Sequence, residues 1–154
     1  MLRVLLAILL AIVCSPLASP QKVRYTSDPK PKAYQCLAWV VHDESRGEPL
    51  RGSRAVLDAV LKRMKDSGKA ACEVIAEPSQ FSGFYPEAPY DVSKEALQRF
   101  VAVAKMKPVT VECKYFHAVY VHPAWANKMT KCFQVGKHIF YKEKKHASRK
   151  PRRR

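Results

Sequence analysis

The hydrophobic period of this chain changes once, from three-and-four to two, near residue 110, and few folds are compatible with such a switch. Before it, Leu37, Val40 and Val41, then Val56, Ala59, Val60 and Met64, then Leu97, Phe100, Val101 and Ala104 recur at helical spacing. The spacing predicts helices from about Ala33 to Arg46, from Ser53 to Met64 and from Ser93 to Met106. Gly47 with Pro49, Gly68 and Pro108 supply the stops, and Ser53 is a candidate N-cap for the second helix. After it, "VTVECKYFHAVYVH" places Tyr115, His117, Val119 and Val121 on one face and Phe116, Ala118, Tyr120 and His122 on the other. "KHIFYK" then reads as a second strand. Helices first and a small antiparallel sheet in the C-terminal half give an α+β fold, mostly helical. Between the second and third helices lies "AEPSQFSGFYPEAPYD", long for a connection and rich in proline and aromatics. Loops of that length in a folded domain are often functional.

The two ends of the chain differ from its middle. "MLRVLLAILLAIVCSPLASP" sets Arg3 before an apolar run, the pattern of a signal peptide or an N-terminal signal anchor over residues 1–20. Residues 21–32 read as a linker, 33–142 as the folded domain and 143–154 as a basic disordered tail. Four of the five cysteines lie beyond the leader, and an even number behind an export signal implies two disulfides. Two helices joined by a short turn bring Cys36 near Cys72, which leaves Cys113 for Cys132. An exported protein, periplasmic, wall-bound or extracellular and held at the membrane until any release, is the expectation.

Charge is equally uneven. The segment "KEKKHASRKPRRR" carries eight Lys or Arg against one Glu, so +7 of the formal +15 resides there. Such a tail attracts polyanions, here anionic wall polymers or lipids. No motif for specific nucleic-acid reading accompanies it.

Against that surplus, "HDESRGE" concentrates Asp43, Glu44 and Glu48 within six residues at the end of the first helix. Glu44 follows Leu37, Val40 and Val41 by seven, four and three positions, so it continues the apolar stripe, whereas Asp43 lies about 100° away around the helix and faces water. A carboxyl in that position is partly desolvated, which raises its pKa toward the range suited to a general acid. The other reading pairs Glu44 with Arg46, Arg51 or Arg54 and makes it a tie for the helix end. Glu48, four residues on, stands beside Glu44 and not opposite it, so it supports the turn or orients Glu44.

These residues also carry a resemblance. "HDESRGEPLRGSRAVLDAVLKRM" resembles the opening motif of the SleB-type cell-wall hydrolases, spore cortex-lytic enzymes and phage lysins among them: an E-x-R-G-E helix end, then A-V-x-x-x-V-x-x-R. "QFS" at 80–82, "YFHAVYVHPAW" at 115–125 and "GKHIFYK" at 136–142 follow in the family's order. Lys62 departs from it, standing where an asparagine commonly precedes the arginine, and the stretch from Phe84 to Tyr90 does not align. The resemblance implies a lysozyme-like fold and cleavage of peptidoglycan glycan strands beside N-acetylmuramic acid, with Glu44 as catalytic acid. One acid without a partner suggests a lytic transglycosylase that leaves 1,6-anhydro ends. Gln80, Phe81, Ser82, Tyr115, His117 and Trp125 are the expected substrate contacts, with Arg46, Glu48, His138 and Tyr141 in support.

A metal or other cofactor is not implied. His42, His117, His122 and His138 lack a ligand spacing such as H-E-x-x-H, and a Cys113–His117 peptidase conflicts with the expected disulfide. A monomer is expected. The rival from another class is a secreted cationic protein that binds or disrupts envelopes by charge alone, which leaves the acidic cluster unexplained.

Overall fold

The computed structural model describes residues 32–78, 80–81 and 92–144. The leader, most of the linker, Ser82 and the tail beyond Lys144 lie outside the described residues. Among the described residues, four α-helices precede three strands: α1 (Ala33–Glu44), α2 (Leu50–Ser67), α3 (Ala71–Ile75), α4 (Lys94–Ala104), β1 (Tyr115–Ala118), β2 (Met129–Val135) and β3 (His138–Glu143), with a 3-10 turn at Ala124–Lys128 before β2. The sheet is antiparallel in the order β1-β3-β2.

Apolar periodicity builds the helical half. Val40 and Val41 of α1, Leu57 and Val60 of α2, Ile75 of α3 and Val103 of α4 share one buried cluster with Cys36. Ala55, Val56 and Ala59, on the next face of α2, pack with Phe140 and Cys113 against the sheet. Phe116 lies against both clusters and joins the two halves. Both expected disulfides are present, Cys36–Cys72 with Cα atoms 5.3 Å apart and Cys113–Cys132 at 6.6 Å. The first holds α3 against the start of α1, and the second ties the segment entering β1 to β2.

Departures from the expected elements have local causes. The second helix begins at Leu50, not at a Ser53 cap, because Pro49 has a φ of −62° and extended ψ, the geometry that opens a helix. Ser53 is therefore buried inside α2, 2.8 Å from Ser45 Oγ and accepting from Arg99 Nε at 2.9 Å. Arg99 also donates to the carbonyls of Ser45 and Glu48. That demand turns α4: Ala96 and Val103 face the core with Phe100 beside them, while Val101, expected inside, is 47% exposed and Ala104 is exposed as well. The alternating run over 109–122 pairs as a strand only at Tyr115–Ala118. Upstream, Asp58 takes the N–H groups of Val109 and Thr110, and the Thr110 hydroxyl takes those of Glu112 and Cys113, so side chains satisfy the backbone in place of a ladder. Strand β2 and the short α3 carry too few periodic residues to stand out in the sequence.

Candidate active site

Helix α1 ends on Glu44, and Ser45 terminates it by donating from its hydroxyl to the Val41 carbonyl. This leaves the Glu44 carboxyl at the mouth of a groove of about 430 Å³, a size common for ligand sites. Asp43 comes to its lining from α1, Arg46 and Glu48 from the α1–α2 turn, Arg63 from α2 and Gln80 from the loop beyond α3. The sheet side supplies Phe116, His117, Ala118, Tyr120, Lys137 and His138.

Glu44 is the perturbed acid of the groove. Burial first, then the neighbouring Asp43 carboxylate, push its pKa up to about 7, while the Arg63 guanidinium pulls the other way. The ion-pair reading does not hold among the described residues: Arg46 binds Asp43 at 2.7 Å and Arg54 binds Asp58 at 2.9 Å. Asp43, expected in water, thus lines the groove with its oxygen held by Arg46. Glu48 is buried and accepts from the Lys137 N–H with both oxygens, at 3.1 and 3.0 Å. It pins the β2–β3 turn onto the segment between α1 and α2.

His138 lies 3.9 Å from Glu48 through Nδ1, and burial, opposed in part by Glu48, lowers its pKa. His117 has both ring nitrogens occupied: Nδ1 is 2.8 Å from the Ala118 carbonyl and Nε2 is 2.9 Å from the Tyr141 hydroxyl. A carbonyl only accepts, so Nδ1 donates to Ala118. The ring also stacks on Tyr141 with centroids 5.1 Å apart, so both nitrogens and one face of His117 are engaged within the fold.

The expected aromatic platforms are used elsewhere. Phe81 is only 8% exposed, packed in the helical core with Phe116 6.3 Å away and the Arg63 guanidinium 5.0 Å over its ring. Trp125 packs on Tyr115, His117 and Tyr141 behind the groove wall. Tyr115 donates to Glu143 at 2.9 Å and lines a second recess, of about 300 Å³, in place of the first. Sequence reasoning missed Tyr120, which is 75% exposed at the groove edge, and Arg63, which lines both recesses with Gln80. The signal for Arg63 was its place three residues after Val60, continuing the buried stripe of α2.

Residues 47–141 match the cell wall hydrolase family. The chain belongs to that family. It is a peptidoglycan-cleaving enzyme. The catalytic domain of the germination-specific lytic transglycosylase SleB from Bacillus anthracis is similar in structure, with a TM-score of 0.61 and 26% identity over 71% of this chain and 93% of that one. The catalytic domain of the Bacillus cereus SleB protein shares the fold at a TM-score of 0.58 and 24% identity, over 76% of this chain and 97% of that one. Among curated proteins, none matches the chain.

Proposed function

We propose that this cell wall hydrolase cuts the glycan strand of peptidoglycan next to N-acetylmuramic acid as a lytic transglycosylase, with Glu44 as its one acid and base. The observation that carries the reading is that Glu44 has a raised pKa in the groove, while the other two carboxylates of its lining, Asp43 and Glu48, are already bonded to Arg46 and to the Lys137 amide. Glycosidases that use two acids set them on opposite sides of the bond. Here Asp43 adjoins Glu44 on the same helix end under Arg46, and Glu48 is spent on the Lys137 amide. The family match begins at residue 47, so the assignment of Glu44 rests on this geometry. Similarity to a protein described as a lytic transglycosylase supports the same chemistry.

In the proposed reaction, the neutral Glu44 carboxyl gives its proton to the glycosidic oxygen as the bond from that oxygen to C1 of muramic acid breaks. The resulting carboxylate takes the proton of the muramic acid C6 hydroxyl while that oxygen bonds to C1. A 1,6-anhydro ring closes, no water is consumed and Glu44 is restored. Gln80 reaches the groove as a hydrogen-bonding side chain, and the exposed Tyr120 ring takes the sugar-stacking role that the buried Phe81 and the half-buried Trp125, packed on Tyr115, His117 and Tyr141, do not fill. Mass spectrometry of the strand ends is expected to show anhydro-muramic acid; reducing muramic termini alone would rule the mechanism out.

The basic tail has a separate part in this proposal. It holds the exported enzyme on anionic wall polymers or lipids. Truncation after Lys144, which leaves β3 whole, is expected to reduce activity on intact walls at low salt and to leave cleavage of soluble strand fragments unchanged. If soluble-fragment cleavage vanished with the tail, the tail would serve the chemistry or the fold and not attachment to the wall.

A further inference from the structure

Among the described residues, Arg63 is the arginine with a buried donor that has no hydrogen-bond partner. It continues the apolar stripe of Val56 and Val60 on α2, and so it arrives between the helices and the sheet instead of in solvent. Its Nε donates to the Lys114 carbonyl at 2.6 Å. Its guanidinium lies 5.0 Å over the Phe81 ring and 5.7 Å over that of Tyr115. These contacts hold the group rigid, so little ordering entropy is left to lose when it binds something. Yet its NH1 is buried and has no hydrogen-bond partner among the described residues. A buried donor left unpaired in a native fold is costly and calls for a reason.

The charges around it are already matched. Asp66 is bonded to Lys62 and Lys114, Glu77 to Lys69 at 2.7 Å and Glu143 to Lys114 at 3.2 Å. Glu44, the remaining carboxyl nearby, is largely protonated below pH 7. The junction of the two recesses, lined by Arg63 and Gln80, therefore holds a desolvated guanidinium that has no carboxylate bonded to it among the described residues, with Glu77 and Glu44 acting on it only from a distance. We propose that Arg63 is a substrate anchor that receives a carboxylate carried by the muramic acid side arm, either the lactyl carboxylate itself or one on the attached peptide. The inference rests on the glycan-cleaving reading of the groove. It adds that the strand lies with its sugar bond at Glu44 and its acidic side arm turned toward the Tyr115 recess.

Kinetics on four glycan preparations test this: strands with peptides, strands stripped to the free lactyl acid, and each of these with its carboxylates converted to amides. A charge-assisted hydrogen bond contributes about 1.5–3 kcal/mol, so the wild type is expected to show KM at least about tenfold higher on the amidated strands, with kcat changed far less. Whichever of the peptide-bearing and stripped strands loses more on amidation identifies the source of the carboxylate. Arg63→Gln is expected to show the high KM on both forms. It should also shift the alkaline limb of the pH profile upward, because the guanidinium is what holds the Glu44 proton less tightly. Equal KM for native and amidated strands in the wild type, or an Arg63→Gln protein that keeps the preference, overturns the proposal. Binding of the same strands to Glu44→Gln, followed by calorimetry, makes the comparison without turnover and without altering Arg63. There, affinity indifferent to amidation likewise overturns it. Should the wild type cleave no strand at all, the glycan-cleaving reading fails, while the binding comparison still decides what Arg63 receives.

Discussion

Glu44→Gln is expected to slow strand cleavage by about 10²- to 10⁴-fold, the usual contribution of a positioned general acid, without loss of the fold. The substitution keeps the shape of the side chain and removes its proton. Because the wild-type group titrates near 7, kcat/KM of the wild type should fall about tenfold per pH unit above that value and level off below it. Stability supplies an independent check. The folded pKa lies above the ordinary glutamate value of 4.5, so the native state holds this proton more tightly than the unfolded chain does. Glu44 therefore costs no stability below about pH 4.5 and progressively more as the pH rises to about 7. Thermal melts should find Glu44→Gln more stable than the wild type at pH 8, with the difference vanishing near pH 4. A Gln variant that retains cleavage would remove Glu44 from the reaction; one that melts like the wild type at every pH would show that the carboxyl is not desolvated.

Why Glu44 could be found in the sequence, and Phe81 could not be placed, follows from the range of the interactions involved. Glu44 is positioned by its own helix: the spacing from Leu37, Val40 and Val41 fixes its face, and the structure adds only the opposite wall of the groove. The disulfide partners were similarly legible, because chain direction through a helical hairpin brings Cys36 to Cys72. Phe81 and Trp125 had no such local frame. Whether an aromatic ring lies in a core or on a groove wall depends on which distant residues reach it, and here those are Phe116 and Arg63 for one, Tyr115 and Tyr141 for the other. The face of α4 was misjudged for a related reason. Its apolar residues allow more than one orientation, and the choice is made by Arg99, which bonds to Ser45, Glu48 and Ser53 some fifty residues earlier. A polar tie of that span leaves no periodic trace.

Gly136→Ala is expected to be the most destabilising single-methyl change in the sheet half, by about 3–5 kcal/mol. Gly136 sits at φ +55°, where a side chain adds about 1–2 kcal/mol. Its missing Cβ matters more. A methyl there would fall 1.5 Å from Glu48 Oε2 and 2.7 Å from Glu48 Cδ, so the carboxylate has to leave. Glu side chains move easily on a surface, but this one is buried, bonded twice to the Lys137 amide and backed by Gly52, whose own absent Cβ would lie 3.3 Å from Glu48 Cβ. Displacing it gives up a charge-assisted hydrogen bond, worth about 1.5–3 kcal/mol, and leaves the Lys137 N–H unpaired. The hairpin turn that carries Lys137 and His138 then loses its attachment to the segment between α1 and α2, so the groove should widen as stability falls. Glu48→Ala separates the two costs. It removes the obstacle together with the bond, so in its background Gly136→Ala should cost only the backbone share. Chemical denaturation of the four proteins in that cycle is expected to show strongly non-additive free energies. Additive values would mean that the Glu48 carboxylate does not clasp the turn.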